Sequence, residues 1–336
     1  MVNIFLVPMI SAIFTFLIVL YATPWTIRFL KRIDMVDIDQ NKIDKPEVPI
    51  SGGLPIMISL FSGLMLFIFI RIFFPGKNDS LILNGDSLVL FFAAMTSILI
   101  ITFLGFIDDL LRKSHYGFPG LRQWQKPLLT FIAAIPLIVI NAGDTLIGLP
   151  FLGEVEMGLL FPLFFIPIGF VGATNMVNML AGFNGMETGM GIVYMGSLGL
   201  FAYVNESYVA ALIALLTFTS LIGFYFYNKY PAKILPGDSL TYLLGGTLAV
   251  VAIIGNIERA ALIISIPFFI EFFLKSKSRF KAQSFGYYKD GKIKSIYNKI
   301  HSIPHILTIT GKYTEKQVVY FMISIELVFA SLIWVI

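Results

Sequence analysis

Residues 87–107 read SLVLFFAAMTSILIITFLGFI, a run without a charged side chain that ends on Asp108-Asp109. A helix needs about 20 mainly apolar residues to cross the hydrocarbon core of a bilayer, and this run has that length. Two carboxylates at the carboxyl end of a helix face the negative pole of its dipole, and side by side they repel unless a cation or a proton lies between them. They do nothing for the helix itself. The run therefore reads as a membrane span, and the acids as a candidate site where it emerges.

Similar runs recur on both sides of it. Ten apolar segments lie at 4–28, 51–71, 87–107, 126–142, 157–176, 189–205, 208–227, 239–256, 259–274 and 318–336. The chain is 57% hydrophobic and only 13% charged, where soluble domains carry about 25% charged residues. The expected fold is all-α: a polytopic membrane bundle of about ten helices, forming one domain over residues 1–336. The uncharged stretch 1–27 is expected to be the first span rather than a cleaved signal. The absence of cysteine excludes disulfides, thiolate nucleophiles and cysteine metal sites. A net charge of +4 gives no reason to expect nucleic-acid binding.

When the segments are threaded in order, the odd-to-even connections hold all but three of the 24 Lys and Arg residues, the exceptions being Arg71, Lys77 and Arg259. Basic residues gather on the cytoplasmic side, so both termini are expected outside. Asp108, Asp109 and Asp238, the Lys45-Pro46-Glu47 patch, residues 178–187 and the basic stretch 275–316 then all emerge on the cytoplasmic face. A face that collects the polar chemistry is where catalysis is expected. Asn78-Asp79-Ser80 and Asn205-Glu206-Ser207 match the glycosylation acceptor pattern on the opposite side.

Several residue types at that face suit phosphate chemistry. Asp238, in Pro236-Gly237-Asp238-Ser239, is placed either to cap the helix that follows or to hold a divalent ion. Asn178 and Asn184 lie in a segment that Gly182 and Asn184-Gly185 break into a turn. Their amides suit a nucleobase or a metal's oxygen shell, and a plain Asn-Gly turn explains them as well. Glu47 precedes the second span. Arg122, Lys126, Arg279 and Lys281 could grip phosphates, although basic groups are the default at such a surface. His301 and His305 share a helical face only if a helix survives Pro304, and suit phosphate contact or structure. Carboxylate and amide oxygens fit Mg²⁺, with Mn²⁺ as a substitute, and phosphoryl transfer is chiefly positioning and charge neutralisation. The residues thus point to a Mg²⁺-dependent transferase joining a lipid to a phosphorylated soluble donor. The competing class is a secondary transporter or channel using Glu271 and Glu326 inside spans, but it should show inverted repeats, and none is evident.

At these motifs the chain resembles the polyprenyl-phosphate N-acetylhexosamine-1-phosphate transferases, most closely their dolichyl-phosphate branch of eukaryotes and archaea. Gly105-Phe106-Ile107-Asp108-Asp109 is similar to that family's first acidic motif. Residues 175–187, NMVNMLAGFNGME, resemble the branch's nucleotide segment, and 228–239 the stretch with its metal-binding aspartate. The likeness spans nearly the whole chain. It implies that a polyprenyl (dolichyl) phosphate in the cell membrane attacks a UDP-N-acetylhexosamine, with UDP-GlcNAc the expected donor. The products would be a lipid diphospho-sugar and UMP, the first membrane step of N-glycan assembly. It further implies Asn178 and Asp238 as Mg²⁺ ligands, Asp108 or Asp109 as the group orienting or deprotonating the lipid phosphate, and Lys126 as a catalytic-site lysine. Glu47 and Asn184 would contact the uridine. Arg279 and Lys281, in the loop 275–317, would meet the diphosphate and sugar. A span bent at Pro267 would border the prenyl groove, and a homodimer is compatible with the family. Arg112 stands where this branch has an asparagine, and Leu235 where an aromatic ring would stack on uracil.

Overall fold

A computed structural model describes residues 6–74, 84–113, 120–149 and 153–335. Helix fills each of the ten apolar segments. In order these are α1 (Leu6–Arg32), α2 (Gly53–Phe73), α3 (Gly85–Lys113), α4 (Gln125–Val139), α5 (Ile166–Met179), α6 (Met186–Val204), α7 (Tyr208–Asn228), α8 (Gly237–Gly255), the pair α9 (Glu258–Ile264) and α10 (Ile266–Ser276), and, after the single turn α11 (His305–Thr308), α12 (Glu315–Leu332). One wide turn, Phe161–Phe165, leads into α5. Among the described residues, six helices have the length and apolarity to cross a membrane. The Asn78 acceptor lies outside the described residues; Asn205 is exposed just past α6, its amide turned back onto the Phe201 carbonyl.

The ninth segment is broken where Pro267, lacking an amide hydrogen, cannot continue the hydrogen-bond ladder, and Ser265 links the two halves. The break lets α10 fold onto α5. Three two-stranded antiparallel hairpins lie between helices: β1 (Val36–Ile38) with β2 (Glu47–Pro49), β3 (Leu146–Leu149) with β4 (Gly153–Glu156), and β5 (Gly286–Lys289) with β6 (Lys292–Ser295).

The centre of the bundle is α8, whose side chains are buried from Asp238 to Gly255. It packs on α3, α5, α7 and α2. Small residues allow the close approach that membrane helices need, because lipid supplies no hydrophobic drive between them. A Cβ on Gly245 would stand 2.5 Å from Thr174 Cα of α5, and one on Gly105 of α3 would strike the backbone of Asp238. The outer helices show the opposite pattern. Met9, Ile13, Leu17, Tyr21 and Trp25 form an exposed stripe at helical spacing along α1, an apolar face too large for water and suited to lipid.

Candidate active site

Charge is concentrated where α3, α4 and α8 meet. Asp108 Oδ2 lies 2.6 Å from Lys126 Nζ, and the same ammonium is 2.8 Å from Asp238 Oδ2. The Arg112 guanidinium reaches that Asp238 oxygen at 3.0 Å. Two acids and two cations thus alternate, and the repulsion expected between neighbouring carboxylates is relieved. The backbone N–H of Leu121 donates to Asp108 Oδ1 at 2.7 Å and fixes the carboxylate plane. Lys126 pairs with both acids, so the loss of one still leaves its ammonium a partner.

The sequence left Asp108 and Asp109 as alternatives; the structure separates them. The Asp109 carboxylate accepts the backbone N–H of Asp238 at 2.8 Å, that of Ser239 at 3.2 Å and the Ser51 hydroxyl at 2.7 Å. It therefore serves as the cap of α8, supplying acceptors to the first-turn N–H groups that no helix can satisfy alone. This also corrects the reading of Asp238 as an N-cap. Pro236 holds that position, Asp238 lies inside the first turn, and its carboxylate is free to face Lys126. Gly237 just before it has φ +65° and sits against the Asp109 carboxylate, where a side chain would collide. Helix α3 also runs on to Lys113, so the acids lie within it and not beyond its end.

Arg112, Lys126 and Asp238 of this cluster line a cavity of about 1090 Å³, with Asp108 buried behind Lys126, and the walls draw on five connections: 1–2, 3–4, 5–6, 7–8 and the one after α10. Asn178 lines it and accepts the Thr241 hydroxyl at 2.8 Å, one turn along α8 from Asp238. Asn175 lines it too, its amide held by Thr130 and the Val171 carbonyl. Gly182 and Gly185, with φ +132° and +87°, make the turn between α5 and α6. Asn184 lies in that turn, donating through its side chain to Asp39 at 2.8 Å and through its backbone to Glu315 at 2.9 Å. Phe269, Phe272 and Phe273 of α10 line the same cavity, with Val171 and Met176 of α5. Phe273 is 63% exposed, so the aromatic wall continues to the outer surface of the bundle.

The other candidate residues stand apart from this cavity. Glu47 is exposed on β2, paired with Ile38 in the hairpin and absent from the lining. Arg279 and Lys281 are exposed on either side of Phe280, and only Phe280 reaches the wall. Arg122 is exposed as well.

His301 and His305 do not share a helix, because His305 opens α11 while His301 precedes Pro304. Both rings lean on Tyr297. The His301 N–H donates to His305 Nδ1 at 3.2 Å, so His305 Nε2 carries the proton toward the Gln283 carbonyl at 3.0 Å. Burial, with Lys275 and His301 nearby, pushes the His305 pKa down to about 4. The imidazole is neutral and structural.

Glu271 is likewise bound. It accepts the Ser302 hydroxyl at 2.6 Å and the Ile303 N–H at 2.8 Å, pinning the loop after α10 rather than lining a transport path. Glu326 is buried in α12 and has no hydrogen-bond partner among the described residues.

Sequence reading gave too little weight to Arg112, Asp39 and the phenylalanines of α10. Acids alternating along Asp37-Ile38-Asp39 were the available signal for the second. The phenylalanines were hidden because an aromatic cavity wall and a lipid-facing span have the same composition.

A family model described as glycosyl transferase family 4 matches residues 91–256. A Saccharolobus solfataricus protein provisionally named UDP-N-acetylglucosamine–dolichyl-phosphate N-acetylglucosaminephosphotransferase is 34% identical over 326 residues, 96% of this chain and 94% of its own. A Sulfolobus acidocaldarius protein with the same provisional name is 33% identical over 330 residues, with the same coverage of 96% and 94%. The phospho-N-acetylmuramoyl-pentapeptide-transferase of Lactiplantibacillus plantarum matches at 37% over 171 residues, 50% of this chain and 53% of its own.

Proposed function

The chain belongs to glycosyl transferase family 4, and on that premise we propose that it transfers N-acetylglucosamine 1-phosphate from UDP-N-acetylglucosamine to dolichyl phosphate. An oxygen of the lipid phosphate bonds to the β-phosphorus of the donor, the bond from that phosphorus to the bridging oxygen breaks, and UMP leaves with the bridging oxygen. The product is a lipid-linked sugar diphosphate, which would open N-linked glycan assembly. The observation that carries this reading is one cavity lined both by Lys126, Arg112 and Asp238 of the charged cluster and by a phenylalanine wall that reaches the outer surface of the bundle. It has a place for a phosphate headgroup and a place for its chain.

Lys126 and Arg112 place positive charge where two anionic substrates must approach, and stabilising that charge is the larger part of catalysing phosphoryl transfer. Asp108, held by Leu121 and Lys126, orients the lipid phosphate. Deprotonation is a small task, because the second ionisation of a phosphate monoester lies near pH 6. Asn178 and Asp238, linked through Thr241, would hold Mg²⁺. Their donors are all oxygens, and the described residues contain no group of three or more acidic or histidine ligands. That fits an ion that keeps its waters and completes its shell on substrate phosphates. When bound, the ion supplies further neutralisation of the diphosphate. Asp39 and Asn184, hydrogen-bonded to each other in the cavity wall, would contact the uridine. The face bearing the cavity is assigned to the cytoplasm by its basic connections.

The test is lipid-dependent UMP release by purified protein with a short dolichyl phosphate, comparing UDP-N-acetylglucosamine with UDP-N-acetylgalactosamine, with and without EDTA. Release with the first donor, abolished by EDTA and by Asp238→Asn, is expected. Folded protein that releases no UMP from either donor would overturn the assignment.

A further inference from the structure

A second, smaller cavity of about 270 Å³ lies on the same face, in the cleft between the end of α7 and the start of α12. Beside it, Gly185 and Gly189 carry no side chain, so that Tyr225 packs close to the first and Ile323 close to the second. Its walls include Tyr225, Lys229, Tyr230, Lys316 and Tyr320, and Asn184 separates it from the main cavity.

The charges around it are unequal. Lys42 lies 4.5 Å from the Tyr230 ring centroid, but its ammonium is already bound by Asp39 and Glu315. Lys316 sits 5.2 Å from the same ring and Lys229 5.3 Å from the Phe226 ring, and neither pairs with a carboxylate among the described residues. Glu315, next to Lys316 in sequence, is turned inward to Lys42 and the Asn184 backbone. Among the described residues, two ammonium groups without a carboxylate partner and two tyrosine hydroxyls without a hydrogen-bond partner therefore border one small concavity. Tyr320, at its wall, is 61% exposed, and Phe226, beside Lys229, is 53% exposed.

We propose that this cleft binds the phosphate of an anionic phospholipid headgroup, with Lys229 and Lys316 as its cationic ligands and the Tyr225 and Tyr320 hydroxyls as further donors. The volume is below that of a nucleotide-sized pocket, so a second donor molecule does not fit it. The exposed aromatic rims place acyl chains in the bilayer rather than in water. Basic pockets between membrane helices are a recurring way of holding anionic headgroups. The inference concerns binding alone and stands independently of the transfer reaction.

The test titrates full-length detergent-purified protein with dioctanoyl phosphatidylglycerol, dioctanoyl phosphatidylcholine or inorganic phosphate. It follows Tm and, by native mass spectrometry, retained lipid. Phosphatidylglycerol should raise Tm and be retained, while phosphatidylcholine should do neither. The Lys229→Gln/Lys316→Gln variant should bind phosphatidylglycerol roughly 30-fold more weakly, at about tenfold for each 1.4 kcal/mol and about 1 kcal/mol for each lysine. Exposed Lys312→Gln should bind like the parent. Both lysines are exposed, so folding should survive, and each single variant should show an intermediate loss. Unchanged phosphatidylglycerol binding in the double variant, equal binding of phosphatidylcholine, or a Tm rise saturated by inorganic phosphate alone would each overturn the proposal.

Discussion

Asp108 and Asp109 are neighbours with the same side chain, and the fold uses them differently because consecutive residues on a helix point about 100° apart. Asp108 faces Lys126, which lines the cavity; Asp109 faces the amino end of α8 and Ser51. The two substitutions should therefore fail in different ways. Asp108→Asn should keep the fold and lose at least about 100-fold in turnover, the usual scale for an oriented acid–base or electrostatic group. Asp109→Ala should leave two backbone N–H groups and a hydroxyl buried without acceptors, and should cost about 3 kcal/mol of stability. Tm and single-turnover UMP release, measured on both, separate the cases. If Asp109→Ala melted like the parent and lost only turnover, its place as a cap would be wrong. Nothing in the sequence could make this distinction, since it depends on which helix lies opposite each face.

Among the elements, α8 is the reference against which the others are set. Asp238 starts it, Thr241 holds Asn178 from α5, and Gly245 lets α5 approach one turn further along. Gly245→Val would press a branched side chain onto the Thr174 backbone. Overpacking of this kind costs about 1–3 kcal/mol, and the outward shift of α5 would carry Asn178 away from Thr241. Turnover should fall more than about tenfold although no polar group has changed, and a smaller loss in Gly245→Ala would confirm a steric cause. The loop between α10 and α12 responds to pH instead. An unfolded histidine titrates near pH 6.5, whereas folded His305 stays neutral down to about pH 4. Between these values the unfolded loop binds the extra proton, so the loop's stability is full above pH 6.5 and declines as pH falls toward 4. Protease cleavage between residues 277 and 304 should accelerate over that window, and His305→Asn, which keeps one donor and one acceptor, should flatten the dependence. Cleavage that is equally pH-dependent in the variant would remove His305 as the cause.

For the whole molecule, the sequence was informative wherever one physical variable decides. Hydropathy over about 20 residues located the helices, and the bias of lysine and arginine grouped the five connections that the structure brings to one cavity. It was uninformative where contact between distant segments decides. Glu47 and Arg279 have the right chemistry in the right connections, yet β2 and the turn after α10 leave them outside the cavity, while Asp39 and Phe272 line it. The proposed orientation follows from the charge bias alone and can be tested without reference to activity. The chain has no cysteine, so single cysteines introduced at exposed positions are unique reporters. Lys312→Cys marks the basic face and Asn205→Cys the opposite one. In intact cells a membrane-impermeant maleimide should label the cysteine at 205 and spare that at 312, and inverted vesicles should reverse the pattern. Labelling of position 312 from outside would place the cavity on the outer face, where a nucleotide-sugar made in the cytoplasm could not reach it, and the donor proposed here would have to be abandoned along with the orientation.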